Sequence, residues 1–181
     1  MISLRLSGFA ALLLLLLSAT ASAEDVWSRN DGYLKSAIND CSVANAVRSV
    51  CRNFTGEALN RLFGIDEFCV RSRCMKAVEI EWKIRNNPGK WESLGTANDQ
   101  AVLDKARELA ATRAVLAVLN EKDRGQVAII MPGAAIPSAK WGLNVPIGVG
   151  ARVDHPEESV YGKSLTWLLS DPAKVSIYAR L

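Results

Sequence analysis

The chain has 181 residues, of which 49% are hydrophobic and 23% charged, and its formal net charge is +3. That length suits one domain, and that composition excludes disordered, collagen-like and coiled-coil chains. A charge so close to balance argues neither for nor against a nucleic-acid partner.

Residues Phe9 to Leu17 form a nearly unbroken apolar run behind a lone cation, Arg5, and the run leads into Ala21-Ser22-Ala23. It is about half as long as a bilayer-spanning helix, and its small-x-small ending is the pattern that signal peptidase cuts. Residues 1–23 are therefore expected to be a signal peptide cleaved after Ala23, and residues 24–181 a single mature domain. No later run is long enough to span a membrane. The expected location is periplasmic or secreted, with no membrane span after cleavage and no nucleic-acid partner.

Four cysteines in an oxidising compartment would by default form two bridges, in one of three pairings. Asn39 or Asp40 is placed to cap a helix that carries Cys41 in its first turn and Val43, Val47, Val50 and Cys51 along one stripe. On such a helix Cys41 and Cys51 lie about 15 Å apart, against the roughly 6 Å that a disulfide tolerates, so the two are not expected to pair. Cys69 and Cys74, in the loop-like stretch CVRSRC, are near enough for a local bridge, which would leave Cys41 and Cys51 free. Cys51 then reads as a small buried hydrophobe. Cys41 sits where unpaired helix amides and the dipole favour a thiolate, which makes it the candidate nucleophile. Packing, or a bridge from Cys41 to Cys69 or Cys74, is the structural alternative.

Gly56 to Phe63 reads as a short helix with Leu59, Leu62 and Phe63 on one side, and Cys74 to Arg85 as another with Val78 and Trp82 inward, stopped by Asn86-Asn87-Pro88-Gly89. Asn98 or Asp99 caps a helix through about Ala111 whose buried face is Val102, Leu103, Ala106, Leu109 and Ala110. Two apolar runs joined by a polar turn, Ala114–Leu119 and Gln126–Met131, then predict an antiparallel hairpin buried on both faces. A strand at Ile147–Val153, a short helix at Lys163–Leu169 and a last strand at Lys174–Ala179 complete the chain. Helices ahead of strands predict an α+β fold, with N-terminal helices packed on a small antiparallel sheet.

A cysteine at the start of an early helix, followed later by a strand that opens Gly125-Gln126-Val127, resembles the papain-like cell-wall hydrolases: the NlpC and CHAP types and the amidase effectors of type VI secretion. Trp91-Glu92-Ser93-Leu94-Gly95, the AVLAVL run and Gly162-Lys163-Ser164-Leu165-Thr166-Trp167 share in the likeness, which spans roughly residues 38 to 180. The resemblance implies a papain-like fold and a cysteine amidase or endopeptidase acting on peptidoglycan peptide. In that group the strand commonly opens Gly-His-Val, its histidine facing the cysteine. Here Gln126 takes that place, and a glutamine amide positions groups by hydrogen bonds but accepts no proton at neutral pH. The one histidine, His155, follows in an acidic, turn-like stretch, either as a solvated loop residue or as a relocated base.

Two readings from different classes follow, and the missing histidine favours the first. In one, a degenerate papain-like domain engages peptidoglycan peptide or a periplasmic protein without turnover. In the other, an active enzyme uses Cys41 with Gln126 and His155. A third reading is an unrelated, disulfide-stabilised periplasmic α+β protein. No cofactor is implied, because no phosphate-binding glycine loop is present, and one histidine without a C-x-x-C pair gives no expectation of a metal. Adjacent acids such as Asp66-Glu67 and Glu157-Glu158 lack the spacing of a glycosidase pair. Of the five tryptophans, Trp141, in a loop beside Lys140 and Gly142, is the candidate for lining a substrate groove.

Overall fold

The computed structural model describes residues 23–43, 48–71, 73–119 and 125–181. The expected signal segment, apart from Ala23, lies outside the described residues, as do Val47 and most of the polar turn before Gly125.

Trp27, Leu34, Ile38 and Cys41 recur at helical spacing, and they form the buried stripe of α1 (Ala23–Ser42). A second helix, α2 (Arg48–Phe63), buries Cys51, Phe54, Ala58, Leu59 and Leu62 against it. The expected helix starting near Cys41 is therefore two helices, with Asn39 and Asp40 in the last turn of the first rather than at the cap of the second. Beyond α2 comes a small hairpin, β1 (Cys69–Val70) and β2 (Arg73–Cys74), closed by the expected Cys69–Cys74 disulfide. It lies directly on α2 because Gly56 has no side chain: a Cβ there would stand 2.6 Å from Cys69 Sγ and 2.9 Å from Cys74 Cβ.

Helix α3 (Ala77–Arg85) buries Ile80, Glu81 and Ile84, whereas Val78 and Trp82, expected inward, are 52% and 68% exposed. The two isoleucines repeat at i and i+4 and win the core face, so Trp82 is turned to solvent. Next come β3 (Trp91–Thr96) and α4 (Gln100–Ala110), the latter capped as expected by the Asp99 carboxylate, which accepts from Ala101 N at 2.9 Å. Strands β4 (Val115–Leu119) and β5 (Gln126–Ile130) form the expected antiparallel hairpin. A two-stranded ribbon of β6 (Ile136–Ser138) and β7 (Leu143–Val145) precedes β8 (Ile147–Gly150) and β9 (Val160–Ser164). The helix expected at 163–169 is a single 3₁₀ turn, Leu165–Trp167, and β10 (Val175–Arg180) ends the chain.

Six strands pair antiparallel in the order β3-β10-β4-β5-β8-β9. The fold is α+β, with β3 and α4 intervening between the first three helices and the rest of the sheet. Alternation along β4 explains why its whole length is apolar. Leu116 and Val118 face the core under α1, α2 and α3, while Val115, Ala117 and Leu119 face a second core under α4. A strand covered on both sides has no polar face to show.

The periphery is tied by polar groups. Glu67, in the turn after α2, is nearly buried and accepts from Lys90 Nζ at 2.8 Å, Trp91 Nε1 at 2.8 Å and Arg180 Nη1 at 2.5 Å, joining that turn to β3 and β10. Burial alone would raise its pKa, but the hydrogen bonds from Lys90 and Trp91 and the charges of Arg180 and Lys90 outweigh it and hold the carboxyl below the usual range. At the other edge of the sheet the Tyr161 hydroxyl donates to Asp31 and pins β9 to α1. Burial and then that bond push the tyrosine pKa up.

Candidate functional site

A cavity of about 330 Å³ opens where the start of α2, the approach to α3, the start of β5 and the segment after β8 converge. Cys51, Arg52 and Thr55 come from α2, Lys76 and Val78 from the α3 side, Gln126 from β5, and Arg152 and His155 from the segment beyond Gly150. Two expected site residues, Gln126 and His155, thus line one cavity.

Gln126 is half-buried, and its amide Nε2 donates to the Ala151 carbonyl at 2.6 Å. That bond holds the 151–155 segment against the first residue of β5 and forms one wall of the cavity. A glutamine serves here as a brace, the role its chemistry allows. His155 is exposed, and its Nδ1 lies 3.4 Å from Glu157 Oε1. His155, Glu157 and Glu158 each offer a ligand atom within 4.8 Å of the others, but all three are exposed. Acidic side chains this close are common on solvated surfaces without any ion.

The cysteines depart from expectation. Cys41 is bonded to Cys51, with their Cα atoms 5.1 Å apart. Cys41 lies at the end of α1 and Cys51 near the start of α2, two separate helices, so the 15 Å separation of a continuous helix does not apply. Cys41 is fully buried at the C-terminal end of α1, where the helix dipole disfavours a thiolate. Both physical supports for a nucleophile at this position are therefore missing, and in the disulfide Cys41 has no thiol to offer. All four cysteines are paired.

Ser159, 8% exposed, links this disulfide to the cavity wall. Its Oγ lies 3.3 Å from Cys41 Sγ and accepts from the Arg152 backbone N–H at 3.0 Å. A bonded sulfur has no proton, so the hydroxyl donates to it and accepts from Arg152, which satisfies both of its roles.

The rim is mainly basic. Arg52, Lys76 and Arg152 line it together with a single acid, Asp154, and Arg152 Nη1 pairs with Glu158. Among the described residues no carboxylate reaches ion-pair distance of Arg52 or Lys76, so these two cations are available to an incoming anion. No sequence motif marks them, since an isolated Arg at 52 and Lys at 76 are brought together only by packing.

Trp141, the expected groove residue, does not line this cavity. It is 8% exposed and packed in the second core beneath α4. Among the described residues, no helix is long and apolar enough to cross a membrane. Neither a protein-family profile nor a curated protein sequence matches this chain.

Proposed function

We propose that this chain is a secreted or periplasmic binding domain of papain-like descent that engages the peptide of peptidoglycan without cleaving it. One observation carries the reading: Gln126 and His155 still line an open cavity, while the sulfurs that a hydrolase would need are committed to Cys41–Cys51 and Cys69–Cys74. A cavity kept open around spent chemistry is suited to holding a ligand. Its rim selects the ligand by charge. Arg52 and Lys76 complement the carboxylates of a short acidic peptide, and the Gln126 brace keeps the wall they face in place. Two disulfides accord with an oxidising compartment.

Calorimetric titration of the oxidised protein with a soluble stem peptide of the cell wall tests the proposal. Saturable binding is expected, with the peptide recovered intact by mass spectrometry. Arg52→Ala should weaken it roughly ten- to a hundredfold, as expected for a charged hydrogen bond of about 1.5–3 kcal/mol. Absence of saturable heat, or recovery of a cleaved peptide, would overturn it.

A further inference from the structure

Resting on that reading, we infer that the peptide-binding cavity continues into a subsite for a sugar ring, with Trp167 as its stacking platform. A second cavity, of about 450 Å³, lies beside the first and shares Arg152, Leu168 and Ser170 with it. Trp167 lines this second cavity and is 64% exposed. Its place in the fold is fixed: it ends the 3₁₀ turn whose first residue, Leu165, is fully buried against Gly148 of β8. A Cβ at Gly148 would stand 2.6 Å from Leu165 Cδ2, so the missing side chain lets the turn sit directly on the sheet.

The surroundings of the indole decide what it can hold. Lys163 Nζ lies 4.9 Å from the ring centroid and does not line the cavity, so a cation supports the ring from outside it. Lys140, which also lines the cavity, donates from Nζ to the Thr166 carbonyl at 2.9 Å and ties the turn down. Leu168 and Leu169 also line the cavity but are only 4% and 0% exposed, and the accessible lining near Trp167 is hydroxyl or charged: Thr166, Ser170, Glu158 and Arg152. A protein interface centred on an aromatic residue is surrounded by further apolar surface. An isolated indole ringed by hydroxyls and charges fits a smaller partner, one with a flat C–H face and a polar edge, which is the character of a pyranose. Continuity with the first cavity then defines the ligand as a glycopeptide, its peptide at Arg52 and Lys76 and its sugar on Trp167.

The experiment compares, on the oxidised full-length mature protein, a cell-wall disaccharide-peptide, the same peptide without sugar and the disaccharide alone, by calorimetry and tryptophan fluorescence. The disaccharide-peptide should bind about tenfold more tightly than the peptide and should quench fluorescence, and Trp167→Ala should remove both effects while leaving the affinity for free peptide unchanged. Trp167 is exposed, so that variant keeps its core. Equal affinity for the two peptides, or a sugar gain that survives Trp167→Ala, would overturn the inference while leaving peptide binding standing. Binding of the disaccharide through Trp167 without binding of the peptide would uphold the sugar subsite and overturn the reading of the first cavity. Self-association abolished by Trp167→Ala, detected by light scattering on the same samples, would assign the indole to a protein contact and overturn the sugar subsite.

Discussion

Gln126 holds one wall of the cavity through a single side-chain hydrogen bond. Its amide spans from β5 to the Ala151 carbonyl at 2.6 Å, a bond that an alanine cannot make. Gln126→Ala should therefore cost about 1 kcal/mol in urea unfolding, and it should loosen peptide binding because Arg152 and His155 follow directly on the braced segment. Gln126→His, by contrast, should leave hydrolysis at background in the oxidised protein, because an imidazole there has no thiol to deprotonate; release of product from peptidoglycan fragments would contradict this. Glu67 gives the pH dependence. Its folded pKa lies below the unfolded value of about 4.3, so its contribution is fully present above that value and is lost as pH falls through the folded pKa. Stability measured by urea unfolding should decline on acidification below about pH 4, and Glu67→Gln should flatten that decline while lowering stability near neutrality. At this scale the sequence exposed the position of Gln126 through its Gly-x-Val setting. It hid Arg52, Lys76 and Trp167, which form sites only through contacts distant in the chain.

Among the elements, legibility tracked burial. The β4–β5 hairpin was readable because both faces are covered and both runs are apolar, and α4 was readable because Asp99 caps it before an amphipathic repeat. Strands β3 and β9 were not, because they are the two edges of the sheet and carry polar residues over half their length. The boundary between α1 and α2 was missed because Asn39 and Asp40 look like a helix start, while the earlier stripe of Trp27, Leu34 and Ile38 shows that a helix already runs through them. That shift of one element changes the chemistry of Cys41 from the positive end of a helix to the negative end. Gly56 offers an element-level test. With a Cβ placed 2.6 Å from Cys69 Sγ, Gly56→Ala must push the β1–β2 hairpin off α2, and a loss of about 1–3 kcal/mol is expected in urea unfolding despite alanine's better helix propensity. A stabilised variant would mean that the hairpin does not rest on the helix.

For the whole molecule, the sheet with a core on each face supplies most of the stability, and the disulfides lock its helical side. Both loops are short, with sequence separations of 10 and 5, so each bridge is expected to contribute about 2–3 kcal/mol by restricting the unfolded chain. Reduction should lower the unfolding midpoint without abolishing the sheet, as the second core, packed between α4 and strands β4, β5 and β10, involves neither bridge. Far-UV circular dichroism on the reduced protein should keep its strand signal, whereas complete loss would place the disulfides at the centre of the fold. The α+β class and the sheet's hairpin were accessible from periodicity alone. The cavity was not, because it exists only once α2, α3, β5 and the segment after β8 have met. The most direct test of a binding domain without a nucleophile is alkylation of the native mature protein, before and after denaturation without reductant, followed by peptide mass spectrometry. No cysteine should be labelled in either state, and Cys41–Cys51 and Cys69–Cys74 should be recovered as linked peptides; rapid labelling of Cys41 in the folded protein would contradict a binding domain without a nucleophile.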